Sequence, residues 1–185
     1  MGRRDLDRVL DAYLVAAARA GDRRAERDLI ARFQPRLLAH AWRLTGDANL
    51  AQDAVQEAWL RIAKGLKRLR DDAAFPAFAF QIVTRCCAQA IGRLKRDRDL
   101  SAAVGAEPAP EARDADRDAD LAKVRAAMAA LPGDQRAAMA LFHFEGFSVA
   151  ETAAALDVPA GTIKTRLMHA RSKLRAMLTG DQDEQ

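Results

Sequence analysis

The chain has 185 residues, with 30 lysines and arginines against 26 acids, a formal net charge of +4 and an isoelectric point near 9.4; that length suits one ordinary domain or two small ones. Its 42 alanines outnumber 19 β-branched residues, and alanine favours helix where β-branched side chains favour strand, so an all-α protein is expected. The longest uncharged stretch, Ala73 to Thr84, is too short to span a bilayer and the N-terminus has no apolar signal core, so a cytoplasmic chain without membrane insertion is expected.

Residues 1–96 carry a net charge of +8. Leu6, Val9, Leu10, Tyr13, Leu14 and Ala17 recur at three- and four-residue steps, as do Leu29, Ile30 and Phe33, and then Leu37, Leu38, Ala41 and Leu44. These spacings predict amphipathic helices. Gly21-Asp22 separates the first two, Pro35 either opens a third or kinks a continuing one, and Gly46-Asp47 ends it, with Asp47 placed to cap the next. That next helix buries Leu50, Ala51, Ala54, Val55, Ala58, Trp59 and Ile62, which leaves Asp53, Gln56, Glu57, Leu60 and Arg61 on or near its outer face.

Arg61, Lys64, Lys67, Arg68 and Arg70 follow without an acid, a charge pattern suited to a phosphate backbone and equally to a solvated helical face. Phe75, Phe78 and Phe80 cluster around Pro76, ahead of a helix expected from Gln81 to Arg96 that carries Arg85, Arg93, Lys95 and Arg96 and no acid. Aromatics beside a basic helix can stack on an unpaired base; three phenylalanines around a proline also read as core. The only cysteines, Cys86 and Cys87, are adjacent. They close no stabilising loop and make at most half a zinc site, so they read as core thiols.

Residues 97–120 carry −5, include Gly105, Pro108 and Pro110, and hold almost no large apolar side chain. Such a segment buries too little surface to offset the entropy of ordering it, so an acidic flexible linker is expected over 98–119. Residues 121–180 return to +4. Leu121, Val124, Met128 and Leu131 mark a short helix stopped by Pro132-Gly133; Asp134 is placed to cap a second with Ala138, Leu141, Phe142 and Phe144 on its apolar face. Ser148-Val149-Ala150-Glu151 has the capping-box form and opens a short third helix. After the turn Leu156-Asp157-Val158-Pro159, a fourth helix from Ala160 to Met177 turns Ile163, Leu167, Ala170 and Leu174 inward. Short helix, turn and longer helix is the helix-turn-helix pattern. Lys164, Arg166, His169, Arg171, Lys173 and Arg175 lie on that last helix with no acid, a surface suited to the major groove: early residues reach base edges and later ones grip phosphates.

At these residues the chain resembles the extracytoplasmic-function (ECF) sigma factors of bacterial RNA polymerase, within the sigma-70 superfamily. The resemblance rests on Ala20-Gly21-Asp22, Phe33-Gln34-Pro35-Arg36-Leu37-Leu38 and the run Ala51 to Arg61 in the first block. In the last block it rests on Leu131-Pro132, Glu145-Gly146-Phe147-Ser148, Glu151-Thr152-Ala153 and Gly161 to Leu167, ending Ala170-Arg171-Ser172-Lys173-Leu174. It implies two small helical domains, a sigma region 2 bundle at 1–97 and a region 4 helix-turn-helix at 120–180, joined by the linker.

The same resemblance implies that Asp53, Gln56, Glu57 and Leu60 engage the clamp of core RNA polymerase. Phe75, Phe78, Phe80, Arg85, Gln89, Arg93, Lys95 and Arg96 would read and melt the minus-ten element of promoter DNA by capturing an extruded base. Lys164, Thr165, Arg166 and His169 would face the minus-thirty-five element, with Arg171 and Lys173 on the same helix. The linker would enter the RNA channel, and an anti-sigma factor would regulate the chain. The sequence departs from the family's pattern at Phe78, Arg85, Gln89, Asp157 and His169, where Trp, Asn, Asp, Gly and Arg are common.

The implied protein is a dissociable polymerase subunit with no catalytic activity, metal or cofactor; the sequence has no Walker loop, no zinc-protease motif and no clustered His/Cys set. Two alternatives stand beside it. A sigma mimic that only sequesters an anti-sigma factor would show an eroded DNA-reading surface, and a dimeric helix-turn-helix operator binder would need a sensor or dimerisation domain.

Overall fold

The computed structural model describes residues 2–103 and 119–179, which form eight α-helices and no strand. Helices α1 (Arg3–Arg19), α2 (Arg23–Thr45) and α3 (Ala48–Leu66) are followed by a single 3₁₀ turn, Asp72–Ala74, and by α4 (Phe75–Ala103). The second half comprises α5 (Ala119–Ala129), α6 (Gly133–Met139, running into a π turn at Ala140–Phe144), α7 (Val149–Leu156) and α8 (Ala160–Thr179).

The helix boundaries follow from local chemistry. Asp22 caps α2 by accepting the Arg24 and Ala25 N–H groups, Gly46 ends it with a left-handed φ of 70°, and Asp47 caps α3 through the Leu50 N–H at 2.8 Å. Pro35 sits inside an uninterrupted α2. Asp134 does not cap α6, which begins at Gly133 after Pro132. The predicted helix at Gln81–Arg96 is longer at both ends: Pro76 falls in its first turn, where no backbone donor is required, and Asp97 to Ala103 continue it into the expected linker, because the Gly and Pro breakers lie beyond. The rest of the expected linker, 104–118, lies outside the described residues.

The first half is a four-helix bundle around Leu29, Phe33, Leu37, Val55, Ile62, Phe75, Phe80 and Val83. Phe75 meets Phe33 edge-on at 4.9 Å, the arrangement ring quadrupoles favour. The α1 stripe differs from its spacing: Asp11, Leu14 and Val15 turn inward, while Leu6, Val9, Leu10 and Tyr13 are exposed. Asp11 can be buried because Arg32 of α2 pairs with it and with Asp7. Cys86 and Cys87 are free, fully buried thiols, and burial pushes Cys87 up to about 12. By length and composition Asp72–Leu100 is apolar enough to cross a membrane, but its buried residues Phe75, Ala79, Phe80, Val83, Cys86 and Cys87 are packed within the bundle core.

The second half centres on Met128, Leu131, Ala138, Met139, Ala153, Ile163, Leu167 and Ala170. It also packs on the first half: Ala137, Leu141, Phe147 and Ala155 belong to the first half's core cluster, and α7 lies against α4.

Candidate functional site

On α3, Asp53 and Gln56 are exposed and Leu60 is 67% exposed, so three of the four residues implied to meet polymerase point outward. Glu57 is half-exposed and engaged within the chain: Arg93 donates to Oε2 at 3.1 Å and Arg61 to Oε1 at 2.5 Å. The hydrogen bond from Arg93, with Arg61 beside it, holds the Glu57 carboxyl below the usual carboxylate range. Arg61 also donates to the Gln89 side-chain oxygen at 3.0 Å, so the outer faces of α3 and α4 form one polar network.

On α4 the phenylalanines divide. Phe75 and Phe80 are fully buried, and the expectation that they contact DNA is corrected: a ring with no exposed face cannot stack on a base, and both serve as core. Phe78 is half-buried, its ring pressed so closely on α3 that a Cβ added at Gly65 would lie 2.5 Å from Phe78 Cζ. Arg85, Gln89, Arg93, Lys95 and Arg96 are exposed, and Arg85, Gln89, Arg93 and Arg96 recur at three- and four-residue steps on one face. This face is basic and solvent-facing, with Arg85 and Arg93 engaged by carboxylates at 2.8 and 3.1 Å.

The helix-turn-helix is built as its sequence suggests. Ser148 Oγ accepts the Glu151 N–H at 3.1 Å and Glu151 Oε2 accepts the Ser148 N–H at 2.7 Å, closing the capping box of α7. Asp157 ends that helix in the left-handed region, φ 55°, a conformation aspartate adopts more readily than most side chains. Ile163, Leu167 and Ala170 anchor α8, leaving Lys164, Thr165, His169, Arg171 and Lys173 exposed. Arg166 is only half-exposed and paired with Asp134 of α6 at 3.1 Å. Thr165 Oγ1 donates to the Gly161 carbonyl, and Arg171 lies over Phe142, 5.7 Å from its centroid. The outward face of α8 is cationic along its length.

Sequence reasoning missed the residues that join the halves. Glu145, with a side chain only 6% exposed, pairs with Arg36 at 3.2 Å and Arg43 at 3.4 Å. Burial pushes its carboxyl up, while the two guanidiniums pull it back. Phe147 meets Phe80 edge-on at 5.2 Å. Arg85 pairs with Asp157 at 2.8 Å, Arg8 with Glu151 at 2.8 Å, and Arg125 lies over the Trp42 ring at 4.9 Å. Periodicity carries no signal for contacts this distant in sequence, and both halves are net positive, so their overall charge gives none either.

Residues 29–97 match the family described as Sigma-70 region 2, and residues 121–174 match Sigma-70, region 4. The chain is 36% identical over 169 residues to the ECF RNA polymerase sigma factor SigM of Mycobacterium tuberculosis, an alignment covering 91% of this chain and 84% of that protein. Among solved structures, it is similar to the sigma factor RpoE of Bartonella quintana in complex with the anti-sigma factor NepR, at 26% identity and a TM-score of 0.68 over 83% of this chain and 96% of that one. It is also similar to CnrH in complex with the cytosolic domain of CnrY, at 25% identity and a TM-score of 0.71 over 93% and 99% of the two chains. The two family regions in this order, the extended similarity to SigM and the shared two-part helical fold place the chain in the ECF family of sigma factors.

Proposed function

We propose that this chain binds core RNA polymerase in the cytoplasm through Asp53, Gln56, Glu57 and Leu60 and directs it to promoters read at two elements, catalysing no reaction itself. Residues 1–97 serve the polymerase and the minus-ten element; residues 120–180 serve the minus-thirty-five element. The observation that carries this reading is the outward face of α8: Lys164, Thr165, His169, Arg171 and Lys173 stand exposed on a capped helix-turn-helix whose own acids point elsewhere. Lysines and arginines on such a helix neutralise phosphates, while residues near its start reach base edges. Arg166 contributes after exchanging Asp134 for DNA. On α4, Arg85, Gln89, Arg93, Lys95 and Arg96 line the strand-separating face, with half-buried Phe78 the aromatic nearest the surface.

An anti-sigma factor is the regulator this reading calls for, because RpoE of Bartonella quintana, similar over both halves, is held by one. The test is transcription from a promoter template by purified core polymerase. Specific transcripts that require both core and this chain support the proposal. Core binding without initiation favours a mimic, and tight operator binding without core favours a free-standing transcription factor.

A further inference from the structure

The outward face of α8 has at its centre a residue that the charge pattern does not explain. Gly161, Lys164, Thr165, Met168, His169 and Ser172 are exposed in steps of three and four, the spacing of one helical face. Met168 stands in the middle of that row, is 59% exposed and belongs to neither core cluster. A single apolar residue on a surface is ordinary. This one lies between Lys164 and His169, on the face assigned above to DNA.

The polar groups around it are few. Thr165 Oγ1 donates to the Gly161 carbonyl at 3.1 Å, so its one hydroxyl proton is committed to the helix. Arg166 lies to the side, half-exposed and held by Asp134 at 3.1 Å. The donors on the first half of the outward face are therefore the Lys164 ammonium and the His169 ring, with the Met168 thioether and the Thr165 methyl group between them. The major groove offers a counterpart to each kind of group. Donors suit the O6 and N7 acceptors of guanine, and an apolar group suits the C5 methyl of thymine, which the other three standard bases lack. Methionine fits the second task, because its unbranched, polarizable side chain adapts to the surface it meets. Lys164 and Met168 are about 6 Å apart along the helix, less than two base-pair steps of about 3.4 Å, so they address neighbouring base pairs.

We infer that Met168 is a specificity-determining residue of the helix-turn-helix: its thioether, flanked by the Thr165 methyl, reads the C5 methyl of a thymine in the minus-thirty-five element, beside the base pair that Lys164 contacts. The inference rests on the reading that α8 enters promoter DNA. It adds a base identity and the residue that selects it.

The test uses holoenzyme assembled from core polymerase and the full-length chain, with a duplex library randomised over the minus-thirty-five positions. The wild type is expected to enrich thymine at one fixed position. Deoxyuridine there pairs as thymine does but carries hydrogen in place of the methyl, and should weaken wild-type binding about three- to fivefold, the worth of burying one methyl group. Met168→Ala should bind the thymine and deoxyuridine duplexes equally while keeping its enrichment at the other positions. The side chain is exposed and alanine favours helix, so this substitution leaves the fold undisturbed. Met168→Leu restores an apolar side chain of similar volume and should recover the difference. A wild type indifferent to the methyl overturns the inference and leaves the reading of α8 standing, as does a Met168→Ala variant that still distinguishes the two duplexes or weakens on every sequence alike. A wild-type holoenzyme that enriches no upstream sequence at all overturns that reading, and the inference with it.

Discussion

Phe147→Ala probes whether the two halves stabilise one another. Phe147 is 7% exposed and sits in the cluster that contains Phe33, Phe75 and Phe80 from the first half and Ala137, Leu141 and Ala155 from the second. Burying a phenylalanine removes about 150–200 Å² from water, worth roughly 4 kcal/mol at 25 cal/mol per Å². Truncating such a side chain to alanine costs about 3–5 kcal/mol, including the cavity left behind. Both tryptophans, Trp42 and Trp59, lie in the first half, on α2 and α3, so their fluorescence during urea unfolding reports on helices that do not carry the mutated residue. With a urea slope of about 2 kcal/mol per M, a fully coupled loss lowers the tryptophan midpoint by roughly 2 M. A midpoint that stays at its wild-type value while the helical signal of the second half melts earlier would refute the coupling.

Four further outcomes are expected. His40 is fully buried with Nε2 on Thr84 Oγ1 at 2.9 Å, and burial, aided by the Arg43 charge, lowers its pKa from 6.5 to about 3. Between about pH 6 and pH 3 the unfolded chain therefore binds a proton that the folded chain refuses. Stability should fall with pH by roughly one to two kcal/mol per unit in that window, and His40→Asn should flatten the slope measured by urea titration. Ser148→Ala removes the acceptor of the Glu151 N–H and should cost about 1 kcal/mol of stability, with Ser148→Asp retaining most of it. Lys173→Ala should weaken promoter binding by the polymerase complex evenly across sequences and reduce its salt dependence by about one counterion. Arg166→Ala should cost about 1–3 kcal/mol with relaxed discrimination at one base pair, read out by binding to a panel of single-base variants.

Most of the fold was legible because it is encoded locally. The capping box at Ser148, the Asp47 cap and the inward Ile163, Leu167 and Ala170 stripe are short-range patterns that the structure keeps. Elements were misread where a distant partner decides the outcome. The spacing of Leu6, Val9, Leu10 and Tyr13 is that of a buried stripe, yet these four are exposed, and Asp11, paired with Arg32 of α2, faces inward with Leu14 and Val15. Phe75 and Phe80 sit beside a basic helix in sequence, but only the packed bundle shows them enclosed. Arg85 and Asp157 each stand out singly as departures from the sigma-factor pattern; that the two side chains meet at 2.8 Å is visible only in the folded chain. The residues on the outer faces of α3 and α8 were identifiable because exposure there follows directly from helical periodicity.

The most direct measurement is the affinity of a fluorescent promoter duplex for this chain with and without core polymerase, compared with a scrambled duplex. The account predicts tight, sequence-selective binding only when chain and core are both present, with the chain alone binding weakly and equally to either duplex. Tight selective binding by the chain alone, or no gain on adding core, would contradict it.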